Sequence, residues 1–321
     1  MNRHQGPAVP AITVRGLRKA YGAKVVLAGI DLDIPAGSIF ALLGPNGAGK
    51  TTTVNILSTL LAADNGTALV AGHDPARDPD AVRAAIGVTG QFSAVDGLLT
   101  GEENLALIAD LHHLNRAEGR RRARELLERF DLVDAARSPA VTYSGGMRRR
   151  LDLAMGLVGR PSVLFLDEPT TGLDPRTRRT LWELIRELAA GGVTIFLTTQ
   201  YLEEADQLAD RVAVLDHGRI VGAGTPDELK GRVSGGHVRL RFPDPAGYDA
   251  AAAVLTGAVR DDPALALQVS SGGSGHEIRM LLDDLGRLDL HVEQLTVHTP
   301  DLDDVFLALT GHPTAEEATI S

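Results

Sequence analysis

The chain has no cysteine, so it can carry no disulfide framework, no thiolate metal site and no cysteine nucleophile. That suits a reducing compartment. Aromatic residues make up only 4% of the 321, with a single tryptophan, so an aromatic standing in a polar turn needs an explanation. No stretch approaches the ~18 consecutive apolar residues of a membrane-spanning helix, and residues 1–10 lack the apolar core of a secretory signal. Any link to a membrane is therefore expected to run through another chain. Excess positive charge is missing too. A net charge of −10 argues against nucleic acid or an anionic lipid surface as the partner of the whole chain, while leaving room for a local basic face.

With 44% hydrophobic and 23% charged residues, the chain is long enough for one large domain and a smaller one. Its focal stretch is residues 44–52, Gly-Pro-Asn-Gly-Ala-Gly-Lys-Thr-Thr, which fits G-x-x-x-x-G-K-[ST]. Polyphosphate binding needs those residue types. The glycines let backbone N–H groups curl around a phosphate, the Lys50 ammonium reaches its oxygens, and the Thr51 hydroxyl serves a Mg²⁺ ion. Residues 38–43 read as a buried strand and residues 51–61 as a helix whose N-terminus faces the anion.

Upstream, residues 12–14 and 25–34 alternate like strands around Tyr21. An aromatic in that polar turn either stacks on a base or anchors the loop on the sheet. Downstream, residues 67–72 and 86–89 read as strands, the second ending at Gly90-Gln91. Thr100 and Glu103 form a capping-box pattern ahead of a helix over residues 103–114, residues 116–130 carry leucines at helical spacing, and no strand signal interrupts residues 100–135. Ser144-Gly145-Gly146-Met147 opens another helix and offers either a second anion site or an ordinary N-cap. The arginines at 148–150 read as a solvated face.

Residues 163–166 form a short apolar run, as in a central parallel strand, and end in Asp167-Glu168-Pro169. Carboxylates there lie beside a phosphate loop, the first suited to Mg²⁺ and the second to polarising an attacking water. Gly172-Leu173-Asp174 caps a helix over residues 175–188, and a further buried strand, 193–198, ends in Thr199-Gln200. Beyond residue 230 short strands alternate with helices at 237–242, 246–259, 265–270, 276–288 and 292–298, which suggests a small α+β unit of ferredoxin-like or related type. Its histidines, at 237, 276, 291 and 298, are unclustered in sequence. An amphipathic helix at 302–307 and a polar tail expected to be disordered follow.

In order and spacing, the cradle, Gln91, Ser144-Gly145-Gly146, Leu166-Asp167-Glu168-Pro169, Gly172-Leu173-Asp174 and Thr199-Gln200 resemble an ABC transporter ATP-binding subunit over residues 12–230. Val88-Thr89-Gly90-Gln91, Tyr143 to Arg150, Thr198 to Leu202 and the ending Asp304 to Gly311 are similar to the daunorubicin-resistance type of drug-exporter ATPase. The resemblance implies an α/β P-loop domain, residues 1–230, with an all-helical insertion at about 92–140, and an accessory domain at 231–321. It implies ATP contacts at Tyr21, Gly44, Pro45, Asn46, Gly47, Ala48, Gly49, Lys50, Thr51, Thr52, Gln91, Ser144, Gly145, Gly146 and Asp174. Mg²⁺ falls to Thr51, Gln91 and Asp167, and catalysis to Glu168, Gln200, Lys50 and Gln91.

One cradle and one signature per chain imply, by the same resemblance, a homodimer that sandwiches two ATP molecules and drives a separate membrane permease from the cytoplasmic face of the membrane. Two departures stand out. Met147 replaces the usual glutamine, and Gln200 the usual histidine, whose N–H an amide can supply without titrating near neutrality. A soluble P-loop kinase or GTPase lacks a use for Ser144 to Gly146, and a non-transport ABC module is the remaining alternative.

Overall fold

A computed structural model describes residues 10–91, 93–233, 236–271, 275–287 and 290–311. These residues divide into two compact units, the chain passing from one to the other between Pro226 and Asp227. Most of the expected lead-in and almost all of the polar tail lie outside the described residues. Among those described, no helix is long and apolar enough to cross a membrane.

The first unit opens with a hairpin, β1 (Pro10–Tyr21) and β2 (Lys24–Pro35), longer than the alternation alone indicated. β3 (Ile39–Leu43) leads into α1 (Lys50–Leu57), which stops short of residue 61 where Thr59 takes a left-handed φ of 68°. Next come β4 (Asn65–Val70), α2 (Pro79–Ala85) and β5 (Ile86–Thr89). α3 (Gly101–Leu111), α4 (Arg116–Arg129) and α5 (Gly145–Gly156) follow, with no strand among the described residues between them. α3 begins with the expected capping box between Thr100 and Glu103. The unit ends through β6 (Val163–Asp167), α6 (Pro175–Ala190), β7 (Thr194–Thr199), α7 (Leu202–Leu208), β8 (Arg211–Asp216) and β9 (Arg219–Gly224).

Six strands form one sheet in the order β5-β6-β7-β3-β8-β9, parallel except for β9. Every residue of β3, β6 and β7 is buried, as unbroken apolar runs in the middle of a parallel sheet require. Phe196 bridges the three, its ring 5.4 Å from those of Phe40 and Phe165. A second, antiparallel sheet, β2-β1-β4, shares the same core through Ile12, Leu17, Leu27 and Val70. Register levels the C-terminal ends of the central strands: Leu43 pairs with Thr199, and Asp167 with Thr198. The loops that leave those ends therefore open together.

The second unit follows from α8 (Pro226–Lys230) at the junction. It contains β10 (His237–Arg241), α9 (Pro245–Val254), β11 (Val259–Asp261), β12 (Ala266–Ser270), α10 (Gly275–Arg287), β13 (Gln294–His298) and α11 (Leu302–Thr310). Its sheet is antiparallel, in the order β11-β12-β10-β13, over a core of Val238, Leu240, Phe242, Tyr248, Leu267 and Leu285. One expectation needs correcting. The helix expected over 246–259 ends at Val254, and Val259 instead begins a strand after Gly257 turns the chain at a φ of 84°. His237 and His298 are brought together across β10 and β13, with ring centroids 4.8 Å apart.

Candidate functional site

The cradle folds as a turn because its glycines allow it. Gly49 has a φ of 114°, and a Cβ there would stand 2.7 Å from Leu27 Cδ2 and 3.0 Å from Val26 O. Gly49 is also the N-cap of α1, with no side-chain cap and no acidic residue in the first turn, so the helix N-terminus offers bare N–H groups. Lys50 Nζ donates to Gly44 O at 2.8 Å and Pro45 O at 3.3 Å, which closes the loop on itself.

A cavity of about 430 Å³ opens over this turn. Its walls are Pro45, Asn46, Gly47 and Gly49 to Thr52 of the cradle, Gln91 beyond β5, Glu168 beyond β6, and Tyr21, Lys24 and Val26 of the hairpin. Tyr21 is 51% exposed, so it is not packed down as a loop anchor.

Glu168 takes a left-handed φ of 49°, an unusual conformation for a residue with a Cβ. Its N–H donates to Thr198 O and Thr198 Oγ1, each at 3.1 Å, which holds the turn. The Thr198 hydroxyl donates in turn to Asp167 Oδ1. Glu168 Oε1 lies 3.3 Å from Lys50 Nζ. Burial lowers the Lys50 pKa below the ordinary lysine value, and the nearby Glu168 carboxylate opposes that shift. The cavity thus joins a fixed ammonium, a helix N-terminus and a strained carboxylate, a set able to hold a polyphosphate and to orient a water.

The remaining expected site residues are not gathered there. Ser144 and Gly146 line a separate recess of about 220 Å³ with Thr177 and Leu173. Ser144 is a working N-cap, its Oγ accepting from Met147 N at 3.2 Å. Asp174 caps α6, accepting from Arg176 N at 3.1 Å and Thr177 N at 3.0 Å, and the Thr177 hydroxyl holds its carboxyl below the ordinary aspartate value. Gln200 follows the last residue of β7 and does not line the larger cavity. Asp167 is buried and does not line that cavity either.

Two of the three arginines, Arg149 and Arg150, are not a solvated face. Arg149 is largely buried and donates to Pro169 O and Gly90 O, while Arg150 donates to Phe130 O at 2.8 Å and so closes the C-terminus of α4. From the sequence, Lys24 and Val26 have no place at the site, and Thr198 stands only as part of a stretch, without the bonds to Asp167 and Glu168 that the structure gives it. A threonine closing an apolar strand beside Thr199 was the available signal for Thr198. For Lys24 and Val26 it was a hairpin that folds straight back from Tyr21.

The ABC transporter family model matches residues 27–171. The daunorubicin/doxorubicin resistance ATP-binding protein DrrA of Streptomyces peucetius is 47% identical over 314 residues, 96% of this chain and 95% of that protein. The doxorubicin resistance ATP-binding protein DrrA of Mycobacterium tuberculosis (strain ATCC 25618 / H37Rv) is 45% identical over 313 residues, 95% of each chain. Among solved structures, cbiO1 from Clostridium perfringens, part of the ABC transporter complex cbiONQ, superposes with a TM-score of 0.63 at 28% identity, covering 69% of this chain and 91% of that one. The ATP-binding cassette MJ0796, a dimer bound to ADP and Pi, gives 0.61 at 25% identity over 67% and 98%. A cradle of this geometry, with likeness of this extent along nearly the whole chain, places the protein in the family of ABC transporter ATP-binding subunits.

Proposed function

We propose that this chain hydrolyses ATP to drive a separate membrane permease that exports a drug, an antibiotic or a lipid-like compound. The observation that carries the reading is the convergence of the cradle, Gln91 and Glu168 on one cavity with Tyr21 at the hairpin turn. Tyr21 stacks on the adenine, the cradle N–H groups and Lys50 hold the phosphates, and Glu168 orients water in line with the γ-phosphate. Gln200 donates its amide N–H to the same phosphate.

Among the described residues no three His, Asp or Glu side chains gather into a ready metal site. The Thr51 hydroxyl, the Gln91 amide oxygen and the Asp167 carboxylate are hard oxygen donors, a set that suits Mg²⁺ when phosphate oxygens complete it. Bound there, the ion would neutralise phosphate charge.

Ser144 to Gly146 and Asp174, standing apart from the cavity, are assigned to the ATP held by a second copy of the chain. Residues 92–140 form the helical insertion that meets the permease, with Gln91 as its hinge, and the homodimer works at the cytoplasmic face of the membrane. We divide the chain into an ATP-binding domain ending near residue 230 and an accessory domain beyond it. The β-α-β-β-α-β order of β10 to β13 with sheet order β11-β12-β10-β13 supports a ferredoxin-like reading of that second domain. The test is steady-state ATP hydrolysis across protein concentration, with and without permease-containing membranes. A specific rate that rises with concentration and disappears in Glu168→Gln is expected. Equal rates in the two chains would remove Glu168 from catalysis.

A further inference from the structure

Arg149 and Asp152 are the part of α5 that nucleotide binding leaves without a role. They form an ion pair on adjacent turns, Arg149 Nη1 to Asp152 Oδ2 at 3.0 Å, with side chains only 11% and 3% exposed. The guanidinium also serves the main chain. Nε donates to Pro169 O at 2.8 Å, Nη1 to Gly90 O at 3.0 Å, and Nη2 reaches Asp167 O at 3.5 Å. Asp152 Oδ1 accepts from Ala94 N at 3.1 Å. The bonded groups flank two functional side chains. Gly90 and Ala94 bracket Gln91, and Asp167 and Pro169 bracket Glu168.

Burial raises the Asp152 pKa and Arg149 opposes it, so the pair carries a desolvation cost that apolar packing in the same volume would avoid. What apolar packing cannot supply is a planar fork that meets several main-chain oxygens at once. Nor can lysine, which brings one ammonium on a flexible stem. The pair therefore has a geometric use that its stability alone does not explain.

We propose that Arg149 and Asp152 are positioning residues that fix the Gln91 loop and the Glu168 turn to the helix carrying Ser144 to Gly146. The anion-facing end of α5 and the hydrolytic carboxylate of the same chain then move as one body. This rests on the assignment of Ser144 to the ATP of a second copy and of Glu168 to the chain's own. Under it, closure of α5 onto one nucleotide is passed through Arg149 to the carboxylate facing the other.

The test uses the full-length chain and two variants, Arg149→Lys and the doubly substituted Arg149→Met with Asp152→Leu, which leaves no unpaired buried charge if the first folds poorly. Amide hydrogen exchange is read segment by segment, beside hydrolysis and MgATP affinity. Both variants should exchange about tenfold faster or more over residues 90–94 and 167–171, with α1 and β3 unchanged. The rate constant kcat should fall about tenfold or more while KM and the MgATP Kd stay within about twofold. Acceleration throughout the first unit would reduce the pair to a stabilising role and overturn the proposal. So would acceleration in only one of the two segments, or in neither, or a parental kcat with both segments loosened. The exchange result is independent of whether Glu168 is the base. If the parental chain and Glu168→Gln hydrolyse alike, it is the site assignment that fails.

Discussion

Lys50 Nζ stands 3.3 Å from Glu168 Oε1, with the two side chains only 4% and 9% exposed. The ammonium that should grip a phosphate is thus already paired with the carboxylate that should orient water. Under the proposed function, an arriving γ-phosphate would offer Lys50 a stronger anion and release Glu168 to face the water.

That competition has a measurable sign. Replacing Glu168 by glutamine removes the rival anion, so MgATP should bind severalfold more tightly, about 1 kcal/mol at most. Hydrolysis should fall about 10²- to 10⁴-fold for want of the base. Equilibrium titration with a fluorescent nucleotide separates the two effects. An unchanged or weaker affinity would mean that Lys50 and Glu168 do not compete.

Gly146 faces Thr177 so closely that a Cβ would stand 2.5 Å from Thr177 Cγ2. The Thr177 hydroxyl donates to Asp174 Oδ2 at 2.6 Å, so a push on the methyl is felt at the cap of α6. Gly146→Ala should lower hydrolysis about tenfold, and Thr177→Ser in the same chain should recover most of it by deleting the methyl and keeping the hydroxyl. Four ATPase rates decide the matter, and strictly additive losses would exclude the contact.

Gln200 is assigned as an N–H donor to phosphate, which fixes an order among its replacements. Alanine removes the donor and should lower kcat about 10- to 100-fold. Glutamate keeps the shape but only accepts when ionised, so it should be worse than alanine. A glutamate chain that matched or exceeded the alanine chain would show that the amide does not donate.

The parts of the site that could be read from the sequence are those whose partners are near in the chain. The cradle, the Thr100 capping box and the Asp174 cap each complete their bonding within a few residues, so spacing alone exposes them. Arg149 does not. Its oxygens belong to Gly90, Asp167 and Pro169, brought to it only by the parallel sheet, and three arginines in a row after a helix start look the same whether solvated or buried. β11 was hidden for another reason. The alanines at 250–253 carry the helical pattern toward it, and only the conformation of Gly257 shows where that pattern stops. The approach of His237 to His298 likewise depends on the register of two strands far apart in the sequence.

In the first unit Glu204 is completely buried, on the first turn of α7. Trp182 Nε1 donates to its Oε1 at 3.2 Å, while Oε2 makes no hydrogen bond among the described residues. Burial raises the carboxyl above its usual value of 4.5, and the Thr199 hydroxyl and the indole oppose the shift without cancelling it. The folded chain therefore holds this proton more tightly than the unfolded one. Its contribution to stability is fully present below the unfolded value, about 4.5, and is lost as pH rises through the higher folded value, at up to about 1.4 kcal/mol per pH unit. Glu204→Gln keeps a neutral group of the same shape at every pH, so it should remove that slope. Thermal unfolding between pH 4 and pH 8.5 should show the variant gaining on the parental chain as pH climbs, then holding a constant lead once the parental carboxyl has ionised. A difference in Tm that stayed flat across the whole range would mean that Glu204 keeps or loses its proton identically in both states, and that burial does not control it.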